Sequence, residues 1–174
     1  NRLDPNTESP INNELTFGIW QEVFRNFSVG LNYIYKWKDN ILEDARYSPD
    51  DNAYWYHMDQ SASQQWWLPY NTTIPGTDDY PDSDVTYYVL TNDSPSTFYR
   101  LTNIPELERK YWAFELIFNK RMADGWQLSG SVVYSKAYGN MGGWYGESWG
   151  WSGAGDSPNY FVNRYGRQSV DRPL

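Results

Sequence analysis

One histidine, His57, stands in a chain of 174 residues that contains no cysteine. A single imidazole without thiolates gives neither a catalytic triad nor a zinc ligand set. No Gly-x-Ser-x-Gly nucleophile elbow appears, and no carboxylate pair has a spacing that places one opposite the other. The sequence therefore predicts no enzyme, no catalytic residue, no metal and no cofactor. The acidic run Thr77-Asp78-Asp79-Tyr80-Pro81-Asp82-Ser83-Asp84 has oxygens enough for Ca²⁺ but lacks the spacing and glycine of an EF-hand loop, and reads as a solvated loop. The side chains suited to touching a ligand are aromatic. Between Met141 and Trp151, Trp144, Tyr145, Trp149 and Trp151 are set among glycines, and Trp66-Trp67 form a second group. Such rings on a loop can stack on sugars or apolar peptides, or pack against neighbouring loops. Trp66, Trp67, Trp144, Tyr145, Trp149 and Trp151 are the candidate ligand contacts.

The rest of the composition restricts what can hold those loops. Aromatic residues make up 19% and charged residues 21%, with a net charge of -8 and a mean hydropathy of -0.79. That is neither a disordered polar tail nor a bundle of membrane helices, since no apolar run approaches the roughly 18 residues a spanning helix needs. Nucleic acid is excluded as a partner, because phosphate binding calls for clustered Lys and Arg on a basic chain. The length suits one domain or a piece of a larger one. With no initiator Met at Asn1 and no tail after Arg172-Pro173-Leu174, a fragment is the expectation.

Period-two alternation marks four strands. From Glu14 to Phe24, Leu15, Phe17, Ile19 and Val23 share one face and Glu14, Thr16, Gly18 and Glu22 the other, with a break at Trp20-Gln21. From Phe27 to Trp37 the apolar face is Phe27, Val29, Leu31, Tyr33, Tyr35 and Trp37. From Lys110 to Met122, Trp112, Phe114, Leu116 and Phe118 alternate with Tyr111, Ala113, Glu115, Ile117 and Asn119. After Ala123-Asp124-Gly125, a strong hairpin signal, the run from Trp126 to Lys136 sets Trp126, Leu128, Gly130, Val132 and Tyr134 against Gln127, Ser129, Ser131, Val133 and Ser135. The chain is predicted to be all-β and antiparallel.

The connections are unequal. Arg25-Asn26 and Ala123-Asp124-Gly125 are tight, whereas residues 38–108 and 137–158 read as long loops and 159–174 as the start of a further strand. Compact domains rarely hold structureless connections beyond about 15 residues. Short turns at one end and long loops at the other are the pattern of a transmembrane β-barrel. Phe24, Phe27 and Trp126 would form one aromatic girdle, and Tyr35, Trp37, Trp112 and Tyr134 the other; Glu14, Glu22, Lys36 and Glu115 would face the interior. A soluble sheet with the same rings in its core is the competing reading.

Four stretches carry a family resemblance. They are Ser9-Pro10-Ile11-Asn12-Asn13-Glu14-Leu15-Thr16-Phe17-Gly18; Phe27 to Ile41; Arg109 to Asn140, through Arg109-Lys110-Tyr111-Trp112-Ala113-Phe114-Glu115-Leu116 and Ser131-Val132-Val133-Tyr134-Ser135-Lys136; and Ser157-Pro158-Asn159-Tyr160 to Asp171-Arg172-Pro173. In this order they resemble the barrel of TonB-dependent outer-membrane receptors, in particular the Oar-like group with a carboxypeptidase-regulatory-like N-terminal domain. The resemblance covers about half the chain. It implies a segment of a barrel of about 22 strands in the bacterial outer membrane, importing a large nutrient such as a siderophore, glycan or peptide. The implied partners are outer-membrane lipid, the remainder of the barrel and its plug, the nutrient, and the TonB complex through a part of the chain outside these residues. Two other classes stay open: a secreted carbohydrate-binding β-sandwich, and a surface adhesin or filament subunit whose sheet edges pair between chains.

Overall fold

The computed structural model describes residues 2–57, 61–78, 81–91, 96–140, 155–161 and 166–167. Its regular structure is nearly all antiparallel β-strand. Strands β1 (Ile11–Phe24) and β2 (Phe27–Asp39) form one hairpin, and β8 (Arg109–Ala123) and β9 (Trp126–Gly139) the other. Both turns use residues that tolerate positive φ. Asn26 has φ 63°, and its N–H donates to Glu22 Oε1 at 2.9 Å. Asp124 and Gly125 have φ 55° and 82°, the left-handed pair of a two-residue hairpin.

The hairpins join through β2 and β8, which pair without a break from Phe27↔Lys120 to Lys38↔Arg109. With the two-residue strand β10 (Gly166–Arg167) added beside β9, the sheet order is β1-β2-β8-β9-β10. The expected strand from 159 onward is thus represented by β10, preceded by a 3-10 turn at Pro158–Tyr160; the other residues after Phe161 lie outside the described set.

Residues 38–108, expected as a loop, instead carry secondary structure of their own. After β2 come β3 (Leu42–Ser48), β4 (Ala53–Tyr54), a helical turn α1 (Ser61–Trp66), β5 (Trp67–Ile74), β6 (Ser83–Leu90) and β7 (Phe98–Asn103). They build a three-stranded sheet, β4-β3-β7, and a two-stranded hairpin, β5-β6. Two apolar clusters hold this cap together: Ile41, Ala45, Tyr56, Ile104, Leu107 and Tyr160 in one, and Ala53, Trp55, Trp66 and Trp67 in the other. Its apolar residues are scattered among Asp, Asn and Pro, so no local periodicity announces them; only tertiary contact gathers them.

Burial is therefore inverted. Of the buried hydrophobic residues among the described ones, Ala113 alone lies in the large sheet, and the others belong to the cap or dock on it. Among the described residues no second sheet covers either face of the large sheet.

Candidate functional site

Register assigns each face of the large sheet its chemistry. Leu15, Tyr35, Trp112 and Lys136 stand side by side across β1, β2, β8 and β9; the next rows are Phe17, Tyr33, Phe114 and Tyr134, then Ile19, Leu31, Leu116 and Val132. Four separate alternations thus merge into one apolar surface. It is exposed, Phe17 by 69%, Ile19 by 61% and Val132 by 58%. Tyr33 and Phe114 touch across strands, with centroids 5.0 Å apart. Aromatic side chains border both ends. Phe24 and Phe27 lie at the turn end, 6.3 Å apart, with Trp126 under Lys120 Nζ at 4.7 Å. At the cap end Tyr35 and Trp37 are 5.5 Å apart, as are Trp112 and Tyr134.

The opposite face carries most of the sheet's polar side chains, interspersed with Trp20, Ile34, Ala113, Ile117 and Val133. Its rows include Glu14, Lys36, Tyr111 and Ala137, then Thr16, Ile34, Ala113 and Ser135, then Gly18, Asn32, Glu115 and Val133. Lys36 Nζ meets Glu14 Oε2 at 2.9 Å, and Asn32 Nδ2 donates to Glu115 Oε2 at 3.0 Å. These polar groups satisfy one another across strands. At the cap end Lys38 stands directly opposite Arg109, with Lys36 two residues away on the same face. A depression of about 670 Å³ opens there, lined in part by Asn12, Glu14, Lys36, Lys38, Arg109 and Tyr111.

The cap accounts for Trp66 and Trp67. They are 4% and 7% exposed and pack on Trp55, with centroids at 6.2 and 5.9 Å, beside Tyr88. In this arrangement their indoles hold the cap together and present little surface to a ligand. Trp144, Tyr145, Trp149 and Trp151 lie outside the described residues. The described part of the acidic run sits at the tip of the β5-β6 hairpin, where Asp82 Oδ1 accepts the Gly76 N–H at 2.7 Å and Asp84 Oδ1 accepts from Thr73 Oγ1 at 2.7 Å. Among the described residues no group of three or more His, Asp or Glu is placed to hold a metal ion. His57 Nε2 lies 3.6 Å from Glu106 Oε1, at the foot of the cap.

Residues distant in sequence fasten onto the cap, and sequence reasoning did not single them out. Asp4 accepts a short hydrogen bond from the Tyr54 hydroxyl, and its N–H donates to the Leu101 carbonyl at 2.9 Å. The bond from Tyr54 holds the Asp4 carboxyl below its ordinary range, while burial and the adjoining carboxylate push the Tyr54 hydroxyl up to about 12. On the other side Asp156 accepts from Arg46 Nε at 3.1 Å and from the Tyr99 hydroxyl at 3.0 Å. Asn159 imitates a strand: its Oδ1 accepts the Tyr88 N–H at 2.6 Å and its Nδ2 donates to the Tyr88 carbonyl at 2.7 Å. Each anchor joins positions at least 50 residues apart, so spacing along the chain carried no signal of it.

A comparison with protein-family models, curated proteins and solved structures finds no match to this chain.

Proposed function

We propose that this chain is a wall segment of an outer-membrane β-barrel, and specifically of a TonB-dependent transporter that captures a large nutrient with its extracellular loops and imports it. The observation that carries the reading is the single apolar surface of the large sheet, continuous over four strands and exposed, backed by a face that carries the cross-strand polar pairs Glu14–Lys36 and Asn32–Glu115. A soluble sandwich needs a second sheet over that surface, and among the described residues none lies there. A lipid bilayer supplies the missing apolar environment. Its dimensions agree: ten residue steps from Phe27 to Trp37 at ~3.4 Å span about 34 Å, which a tilt of about 45° reduces to the ~25 Å of a barrel's apolar band. The cap sits at the end where a barrel carries its long external loops. Transport and TonB coupling rest on the family resemblance of the strand sequences.

These 174 residues contain no cysteine, so no thiol of this segment competes with an introduced one, and any cysteine elsewhere in the native-length protein is first replaced by serine. Single substitutions Ile19→Cys and Thr16→Cys are introduced into the protein at its native length and probed in isolated membranes. The expected result is that the thiol of the Ile19→Cys variant resists a membrane-impermeant maleimide and reacts with a lipid-soluble one, while the thiol of the Thr16→Cys variant shows no such preference. Equal labelling of the Ile19→Cys variant by both reagents, in a protein recovered from the soluble fraction, rules the barrel out.

A further inference from the structure

The β5-β6 hairpin of the cap has an apolar face of its own. Register puts Leu68 beside Val89, Tyr70 beside Tyr87 and Thr72 beside Val85, with Ile74 at the tip end of the same side. The Tyr70 and Tyr87 rings touch, with centroids 5.1 Å apart. The hairpin docks on the cap through its other face, where Trp67 belongs to the tryptophan cluster and Tyr88 packs against it. The first face is therefore turned outward. Among the described residues it is open: Leu68 is exposed by 60% and Tyr70 by 55%. Contiguous exposed apolar surface of this kind marks a place of interaction.

The edges of the hairpin are poor places for a partner. Tyr88 gives both of its backbone groups to Asn159, so its cross-strand neighbour Pro69 sits where an N–H would also point out of the hairpin. One edge thus lacks a donor, and the other is occupied at the same level. Charge then narrows what the face receives. Residues 67–90 contain Asp78, Asp79, Asp82 and Asp84 and no Lys, Arg or His. Asp82 and Asp84 bond only to neutral donors, the Gly76 N–H and the Thr73 hydroxyl, so the hairpin keeps its negative charge. A second copy of this acidic chain and an anionic bilayer are both repelled by it. A sugar needs partners for its hydroxyls, and here the rings are flanked by Leu, Val and Ile side chains.

We infer that this face of the β5-β6 hairpin is a docking surface for a polypeptide that carries apolar side chains and net positive charge. Tyr70 and Tyr87 give large contact area at little conformational cost, and the aspartates at the tip steer a cationic partner. The inference rests on the barrel reading in one respect: that reading puts the hairpin outside the membrane, where such a polypeptide is the nutrient, and so selects peptide among the nutrient classes.

The test titrates fluorescently labelled peptides into the native-length protein and reads anisotropy. The peptides alternate Leu with Lys, Ser with Lys, or Leu with Glu. The Leu-Lys peptide is expected to bind, and the others to bind about tenfold or more weakly. L68T/Y70T, which keeps strand propensity but removes apolar surface, should weaken the Leu-Lys peptide by about tenfold. D82N/D84N keeps both hydrogen-bond acceptors and should weaken it while flattening its salt dependence. D50N, outside the hairpin, is expected to bind as wild type does. If L68T/Y70T does not accumulate, Y87T carries the same comparison. No binding of the Leu-Lys peptide at millimolar concentration, equal binding of the Ser-Lys peptide, or unchanged affinity in L68T/Y70T and Y87T overturns the docking surface. Binding of cellohexaose or of phosphatidylglycerol vesicles through these residues in place of the peptide overturns it as well. A soluble protein whose peptide binding is lost in L68T/Y70T overturns the barrel and keeps the docking surface; a membrane-embedded one indifferent to these variants does the reverse.

Discussion

The indole of Trp20 fills the space above Gly30, its cross-strand partner: a Cβ at Gly30 would stand 2.6 Å from the ring. Trp20 is the residue that breaks the apolar alternation of β1, and the structure gives the reason. It lies on the polar face, where the missing side chain of Gly30 makes room for it, as an aromatic ring covering a glycine compensates for the packing that glycine lacks. Phe118 covers Gly130 in the same way on the apolar face, at 2.7 Å.

Gly30→Val drives two methyl groups into the Trp20 ring. Overpacking of this kind costs about 1–3 kcal/mol, so the variant should unfold at lower denaturant concentration and show an altered tryptophan emission spectrum. Gly30→Val combined with Trp20→Ala should recover part of the loss, since the clash is removed. Unchanged unfolding in Gly30→Val would mean that Trp20 does not pack there.

A charge tells the two faces apart. Leu116→Lys places an ammonium in the middle of the apolar surface, which costs about 2–4 kcal/mol at a bilayer midplane. Ser129→Lys, on the polar face, should be near neutral. Refolding yield into phospholipid vesicles reads both; equal yields would count against lipid contact.

The contact of the N-terminal segment with the cap should depend on pH. The folded pKa of Asp4 lies below the ordinary value of 3.8, chiefly through the bond from Tyr54. Its contribution is therefore fully present above pH ~4 and is lost as pH falls through the folded value. The protection of the Leu101 amide, whose N–H donates to the Arg2 carbonyl at 2.8 Å, should fall below pH ~4 when exchange is compared with the intrinsic rate at the same pH. Tyr54→Phe should cost about 1 kcal/mol at neutral pH and flatten that dependence.

The side-chain amide of Asn159 grips both backbone groups of a strand residue, Tyr88. Asn159→Ala leaves both groups unbonded, at a cost of about 1–3 kcal/mol if they stay dry. Asn159→Asp keeps the acceptor but turns a carboxylate oxygen toward the Tyr88 carbonyl, and should be at least as damaging. Faster exchange of the Tyr88 amide in both variants is the expected readout, and protection equal to wild type would show that the clasp is dispensable.

Near-neighbour chemistry was legible in the chain itself. Alternation along 14–24, 27–37, 110–122 and 126–136 depends on the two-residue period of a strand, and Asp124-Gly125 on the φ values those residues allow. Both are properties of adjacent residues, and they yield an all-β class with an apolar and a polar side to each strand. They do not say which strand lies beside which. The pairing of β2 with β8 crosses residues 40–108, and it alone makes one surface of four alternations and brings Lys38 to Arg109. The cap was read as a loop because Ile41, Trp55, Trp66, Trp67, Ile104 and Leu107 follow no period; they become cores only when β3, β5, β6 and β7 fold on one another. For the same reason Trp66 and Trp67, alike in the sequence to the ligand-contacting rings of an open loop, are found inside. Residue type fixes what a side chain can do, whereas its burial and partners are set by contacts between residues far apart along the chain.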